Sequence, residues 1–259
     1  MHRVNYDEIA HLYDESARDH DVDTNLLEFL DSHPEIAPAQ ARILDVGCGT
    51  GKQLHANRTP FPTMFMVGLD RFHEMVRIAR NRCPGVAWVH GDGTALPFSS
   101  GSFHYVSSQF SYSHVPDKKK LLAEIFRVLR PCGRFAMTHI DPWSMENWNV
   151  YRYFPAARDL DYRDFVPVES FVTLMEAAGF QMICAQRSRR RQREDLRDFL
   201  AYASQRQRAS QLIAISDEEY VSGIGRLERA IAQARDRTAV VEHEMCFVTI
   251  AGDKPGSGG

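Results

Sequence analysis

The sequence predicts an α/β fold, a parallel sheet covered on both faces by helices. From residue 43 to residue 140, short apolar runs alternate with stretches of helical periodicity, the pattern of strand–helix–strand units. The first run, Ile43-Leu44-Asp45-Val46, passes directly into Gly47-Cys48-Gly49-Thr50-Gly51, which reads as a buried strand feeding a tight loop before a helix. Later runs lead into carboxylates, Asp70 and Asp92. Acidic side chains therefore gather at the carboxyl ends of neighbouring strands, where ligands of open α/β sheets bind.

Residues 1 to 40 are expected to form a helical cap: Ile9, Leu12 and Tyr13 fall at helical spacing, and His33-Pro34 to Ala39 is a proline-bearing link. After Gly51 a short helix runs to about Asn57, before Thr59-Pro60-Phe61-Pro62 breaks it. Met64 to Leu69 is the second strand, and the helix after it carries Met75, Val76 and Ala79 on one face. Val86 to His90 and Phe103 to Gln109 are the third and fourth strands. Asp117 caps a helix striped with Leu121, Leu122, Ile125, Phe126 and Leu129, and Pro131-Cys132-Gly133 turns it into a fifth strand, Arg134 to Ile140.

Residues 141 to 167 break this rhythm with a crowd of aromatic side chains, read as a lid or substrate insertion. Tyr112, Trp143, Trp148 and Tyr151 are its candidate pocket residues. Phe171, Leu174, Met175 and Ala178 then mark a helix closed by Gly179. A sixth strand follows, Gln181 to Gln186. Ser216-Asp217-Glu218-Glu219 opens another helix, to about Ala234, and Val240 to Ile250 is the last strand. Residues 1–250 are expected to form a single domain, with 41–140 as its ligand-binding core, 168–250 as the remainder of the fold, and 251–259 as a disordered tail.

Composition narrows the function. Hydrophobic residues make up 44% and charged residues 25% of the 259-residue chain, with a formal net charge of −3. That is ordinary for a globular protein and calls for no nucleic-acid or membrane partner. The five cysteines are scattered without a C-x-x-C pair, so neither a disulfide framework nor a metal site is expected. No apolar run approaches the ~20 residues of a membrane span, and no signal peptide is visible; a cytoplasmic protein is expected. Residues 187 to 208 hold eight arginines and three acids, with Leu196, Phe199, Leu200 and Ala203 at helical spacing. The expectation is a solvated helix face rather than an RNA footprint. The glycine spacing is G-x-G-x-G, not the G-x-G-x-x-G of a nicotinamide-dependent oxidoreductase, and Gln53 stands where a phosphate loop needs a hydroxyl.

Four stretches, LDVGCGTG, VGLD, GDGTALPF and EIFRVLRPCGRF, together resemble the class I S-adenosylmethionine-dependent methyltransferases, in the branch that includes the ubiquinone/menaquinone enzymes and many small-molecule methyltransferases. The resemblance is detailed over roughly residues 40 to 140. It implies a Rossmann-like seven-stranded, mostly parallel sheet with its last strand antiparallel, and S-adenosyl-L-methionine as cofactor. Carried onto this chain, it places Asp45 and the Gly47, Cys48, Gly49 and Gly51 loop against the methionine and ribose, and Asp70 on the ribose hydroxyls. Arg71 and Met75 flank adenine, and Asp92, Gly93 and Thr94 meet its edge. Gln109 lies near the methionyl amino group, and Tyr13 on the cap lies towards the same end.

The implied reaction moves the cofactor's methyl to an oxygen, nitrogen or carbon of a small molecule. His114 and His139, each at or just beyond the end of a strand, are candidate bases. Two other readings share the fold: a regulatory or non-methylating protein, and an RNA methyltransferase using the 187–208 basic segment.

Overall fold

The computed structural model describes residues 4–15, 20–234 and 239–256; the side chains of Tyr13 and Glu15 lie outside the described residues. Helices α1 (Tyr6–Glu15) and α2 (Thr24–Ser32) precede β1 (Arg42–Val46). The chain continues through α3 (Lys52–Arg58), β2 (Phe65–Asp70), α4 (His73–Arg82), β3 (Ala87–His90), β4 (Phe103–Gln109), α5 (Lys118–Val128) and β5 (Leu129–Ile140). It ends with α6 (Asn149–Tyr153), α7 (Pro155–Asp164), α8 (Val168–Ala178), β6 (Gln181–Asp195), α9 (Leu196–Ala203), α10 (Ser210–Ala214), α11 (Asp217–Gln233) and β7 (Val240–Asp253). None of the described helices is long and apolar enough to cross a membrane.

The seven strands form one sheet in the order β3-β2-β1-β4-β5-β7-β6. Strands β1 to β5 pair in parallel. Cys132 N–H donates to Lys254 O at 3.0 Å and Asp141 N–H to Cys246 O at 2.8 Å, so the partner's numbers fall as those of β5 rise, and β7 runs antiparallel. Parallel pairing needs crossover helices, and the sequence supplies one after each of the first strands. The β1–β2 register pairs Val46 with Leu69, which sets the end of one strand beside the end of the next.

By its contacts the chain divides into two compact units. The larger comprises Tyr6–His139, Val168–Gln186 and Thr249–Gly259. Its core includes Leu26, Phe29, Ile43, Leu54, Val76 and Tyr105, each 1% exposed or less. Burying a side chain of this size removes roughly 1.5–3 kcal/mol of apolar hydration cost. Two local ends in this unit are held by side chains from distant segments. Arg71-Phe72 leaves α4 without a serine cap, and Asp7 of α1 caps it instead, accepting from Glu74 N–H at 2.9 Å. His104 accepts from Arg42 N–H at 3.0 Å through Nδ1, a bracing role between strand ends.

The smaller unit comprises Met1–Asn5, Ile140–Pro167 and Arg187–Val248. The aromatic segment thus packs with α9, α10 and α11, which periodicity had assigned to the remainder of the fold. Tyr153 lies 6.0 Å from Phe199 and Phe154 lies 6.1 Å from Tyr220, centroid to centroid. Ser216 and Glu219 close a reciprocal capping box at the start of α11, as the sequence implied.

Three boundaries move. The sixth strand, expected to stop at Gln186, runs to Asp195. Five of the eight arginines in 187–208 therefore lie on an edge strand, not on a helix face. Charged side chains on an edge strand oppose pairing with another chain, the physical reason a strand tolerates such a sequence. Leu129, expected on a helix, opens β5. The expected tail from Ala251 is strand as far as Asp253, and Lys254 N–H bonds Gly133 O at 2.8 Å; residues 257–259 lie outside the described residues.

Candidate functional site

The glycine loop continues β1 across the end of β2. Gly47 N–H donates to Leu69 O at 2.7 Å and Cys48 N–H to the same oxygen at 3.1 Å. The three glycines are left-handed, at φ +77, +53 and +79, yet they differ in what surrounds them. A Cβ on Gly47 would lie 2.3 Å from the Ser111 Cβ, and one on Gly51 would lie 2.5 Å from the Trp88 ring. A Cβ on Gly49 would meet nothing within 4 Å. Two of the glycines let neighbours close in, and Gly49 alone keeps open space against bare backbone, the cradle a ligand needs.

Two buried carboxylates lie under that loop. Asp70, at the end of β2, is 7% exposed. Its Oδ2 accepts from Gly49 N–H at 2.8 Å and its Oδ1 from Phe72 N–H at 2.9 Å. Burial raises its carboxyl above the ordinary range, and the backbone N–H groups oppose that rise. A carboxylate offers about four lone-pair directions, so beyond the Phe72, Gly49 and Arg71 N–H groups capacity remains for a ligand hydroxyl. Asp45 is 2% exposed and accepts from Ser107 Oγ at 2.9 Å. Burial pushes its carboxyl up to about 7, Ser107 opposes this, and Asp23 and Asp70 add repulsion. Neither carboxylate has an arginine or lysine partner among the described residues. An uncompensated acidic floor below an open glycine is what a cationic ligand neutralises. S-adenosylmethionine, with a sulfonium and an ammonium, fits it.

Several of the remaining expected residues lie at or just after the carboxyl ends of the parallel strands β2, β3 and β4. Asp92 is exposed after β3, and the Thr94 N–H and hydroxyl, at 2.8 and 2.9 Å, hold its carboxyl below the usual range. Arg71 is exposed, whereas Met75, Gly93 and Cys48 are buried. Gln109 ends β4 and pairs with Thr138 of β5. Tyr13 belongs to α1 by its backbone, and its side chain lies outside the described residues.

The two histidines part company. His114 is half-buried in a short turn, Tyr112–His114, beyond β4. Tyr6 of α1 places its hydroxyl 3.2 Å from His114 Nε2, with the rings edge to face at 5.4 Å. His139 is 2% exposed, with its ring 4.3 Å from that of Tyr112, so it belongs to the core. Sequence reading did not single out Tyr6 as a site residue. The fold brings Tyr6, at the start of α1, to the turn beyond β4.

The four aromatic residues expected to line a pocket fall in both units. Tyr112, 1% exposed, belongs to the larger unit and packs on Phe171 at 5.0 Å. In the smaller unit, Trp148 and Tyr151 are 9% and 4% exposed, and Tyr151 donates to Asp161 Oδ2 at 2.7 Å. Trp143 is 39% exposed and stacks on Tyr162 at 5.3 Å. It walls an open polar cleft of ≈ 490 Å³ with Ser144, Glu146, Arg189, Arg191 and Glu244, which includes no residue of the glycine loop.

Comparison with known proteins agrees with this geometry. Residues 43–133 match the family model described as "Methyltransferase domain". A demethylmenaquinone methyltransferase of Renibacterium salmoninarum is 32% identical over 51% of this chain, and the chain spans 58% of that protein's length. A 2-phytyl-1,4-naphtoquinone methyltransferase of Thermosynechococcus vestitus is 30% identical over 56% of this chain and 75% of its own length. Among solved structures, a Haemonchus contortus phosphoethanolamine N-methyltransferase 2 in complex with S-adenosyl-L-methionine superposes with a TM-score of 0.58 at 20% identity, over 98% of this chain and 58% of that one. The G-x-G-x-G loop, the carboxylates at the ends of β1 and β2, and these relatives converge: the chain belongs to the class I S-adenosylmethionine-dependent methyltransferases, in the ubiquinone/menaquinone branch.

Proposed function

We propose that this protein methylates a quinone-type small molecule in its reduced, hydroxylated form, with His114 as the base. The observation that carries the reading is the Tyr6–His114 pair beyond β4, at 3.2 Å, in a chain whose relatives are named for quinone substrates. S-adenosylmethionine supplies an electrophilic methyl group on a sulfonium, which departs as a neutral thioether. Asp45, Asp70 and the Gly49 backbone hold that cofactor, and Asp92 and Thr94 receive its adenine edge.

On the protein's side, the chemistry is one of position and one proton. His114 takes the proton of a ring hydroxyl, and the electron density released makes a neighbouring ring carbon, or the oxygen itself, the methyl acceptor. For attack through carbon, that carbon then loses its own proton and the aromatic ring is restored. Tyr6 fixes the imidazole by its hydroxyl and by ring contact. A surface ion-pair role is favoured over a nucleic-acid one by Arg189 and Arg191 of β6, which both bind Glu244, at 2.6 and 2.7 Å.

The test is incubation with S-adenosylmethionine and a series of 1,4-naphthoquinols and benzoquinols under reducing conditions, read by mass for the gain of one methyl. His114→Gln should lower turnover by about 10²–10⁴-fold with S-adenosylhomocysteine affinity unchanged. Tyr6→Phe should shift the pH–rate profile. Absence of any methylated quinol sinks the proposal, and a His114→Gln rate within a few-fold of wild type removes the base.

A further inference from the structure

Asp23 is a buried carboxylate whose charge its local structure does not require. It caps α2, accepting from Asn25 N–H at 3.0 Å through Oδ1, and it is 5% exposed. Asparagine and serine cap a helix as well as aspartate does, and neither carries the desolvation cost of a carboxylate. Its other oxygen, Oδ2, accepts from the Tyr105 hydroxyl at 2.7 Å, and an amide there would donate to that hydroxyl instead. No arginine, lysine or histidine hydrogen-bonds to the Asp23 carboxylate among the described residues. The negative charge is surplus to the cap.

That charge stands close to Asp45. Tyr105 of β4 pairs with Ile43 of β1, and Ser107, two residues on, pairs with Asp45. Two residues along a strand span roughly 7 Å and share one face of the sheet. One strand thus carries both donors, Tyr105 on Asp23 and Ser107 on Asp45. Asp23 N–H donates to Asn57 Oδ1 at 2.9 Å, and Gln53 Nε2 to the same oxygen at 3.0 Å, which ties Asp23 to α3 directly after the glycine loop. Burial is the main cause of the raised Asp45 carboxyl and Ser107 opposes it, while Asp23 and then Asp70 add repulsion. Cys48 and Tyr105 also titrate against this cluster, and both are pushed up chiefly by burial. Arg134 of β5 acts on Tyr105 but is committed to Asp253 at 2.7 Å, and His20 faces Gln53 at 3.1 Å.

We propose that Asp23 is a positioning residue for the cofactor's charge. Acting through Asp45, its carboxylate makes the floor prefer the sulfonium of S-adenosylmethionine over the neutral sulfur of S-adenosylhomocysteine. This rests on the placement of the cofactor over Asp45 given above. Methyl transfer forms a bond to the acceptor, which gives up a proton, and breaks the methyl–sulfur bond, whose electron pair stays on sulfur. The cation that the floor holds is thereby discharged. Buried carboxylates then face a neutral thioether, and the product leaves a site that no longer favours it.

The experiment titrates S-adenosylmethionine and S-adenosylhomocysteine calorimetrically into wild type, Asp23→Asn and Asp23→Ser from about pH 6 to about pH 8. Asp45→Asn is the reference, and thermal unfolding is measured on each protein. The two ligands differ only in the methyl group and its charge, so a packing defect weakens both alike. In both Asp23 variants the preference for S-adenosylmethionine at the upper pH should fall by about three- to tenfold, with S-adenosylhomocysteine affinity held within about twofold. Losing the Asp23 repulsion lowers the Asp45 carboxyl, so the rise of S-adenosylmethionine affinity with pH should begin at a lower pH. Either variant carries the comparison if the other does not fold. An unchanged preference, or equal weakening of both ligands with a lowered Tm, overturns the inference and leaves Asp23 a helix cap. A rise with pH that survives Asp45→Asn sinks the cofactor placement and the inference with it. A rise abolished by Asp45→Asn, with the preference intact in the Asp23 variants, overturns the role of Asp23 alone.

Discussion

Buried carboxylates in the two units are held in two ways. In the larger, Asp45 and Asp70 are held by a serine hydroxyl and by backbone N–H groups, with no arginine or lysine partner among the described residues. In the smaller, Asp141 is 1% exposed and meets Arg187 at 2.7 Å, with Ser144 Oγ at 2.8 Å. A fold that satisfies its own carboxylates gains a permanent pair, since one buried charge without its partner is strongly destabilising. A fold that leaves them on neutral donors keeps a negative site in reserve. The contrast is between single carboxylates, since Asp161 of the smaller unit also rests on the neutral donors Tyr151 and Gln211.

The largest expected effect breaks the cradle. Gly49→Val puts a side chain where nothing lies within 4 Å and forces valine to φ +53, at about 1–2 kcal/mol of backbone strain. S-adenosylhomocysteine affinity should drop by ~100-fold or more in calorimetric titration, while circular dichroism shows a folded protein. A valine variant that still binds would place the cofactor elsewhere.

Next comes Asp70→Asn, expected to weaken S-adenosylhomocysteine about 10–100-fold, since charge-assisted hydrogen bonds are worth roughly 1.5–3 kcal/mol each. It should also lower Tm by several degrees, because the Gly49 and Phe72 N–H groups share that carboxylate. Normal affinity with a lowered Tm would make Asp70 a purely structural brace.

Acidity sharpens the comparison further. Both units bury a carboxyl with a raised pKa, Asp45 at about 7 and Asp161 at about 6. For Asp161 burial is the main cause, with Tyr151 and Gln211 opposing it. A carboxyl raised on folding favours the protonated folded state. Its stabilising contribution is therefore complete below the unfolded value near 4 and is lost as pH rises through about 6. Asp161→Asn should flatten the dependence of Tm on pH between about 4 and 7 and leave cofactor affinity alone. For Asp45, cation binding favours the ionised form, so S-adenosylmethionine affinity should rise by up to about tenfold from pH 6 to pH 8, with proton release below pH 8. Asp45→Asn should abolish that slope. Equal slopes in wild type and Asp45→Asn would remove Asp45 from cofactor linkage.

The smallest effect concerns the edge strand. Arg191 is 81% exposed on its side chain in its pair with Glu244, and exposed pairs contribute little. Arg191→Ala should leave Tm and turnover unchanged, and gel-shift assays at about 50 mM salt should show only weak, sequence-blind retention of RNA. Tight binding lost on adding salt would reopen the nucleic-acid reading.

What the amino-acid order determined by itself is the cofactor half. Strand β4 runs from Phe103 to Gln109 as its apolar pattern predicted, Asp117 caps α5 by accepting from Lys120 N–H at 2.9 Å, and the acidic strand ends stand beside the glycine loop. These features are local: a strand, its loop and the next helix lie within a few tens of residues, and each turn residue acts on its own neighbours. The tertiary structure decided the rest. Periodicity could not tell that the arginines from Arg187 onward extend a strand, because the β7 partner that makes them one lies some fifty residues on. Nor could it tell that the 141–167 aromatics pack with helices beyond Leu196, that Tyr6 reaches His114, or that His139 is closed under Tyr112. Each depends on a contact between segments far apart in sequence, and such contacts leave no signature in local order, since either partner read alone is compatible with several environments.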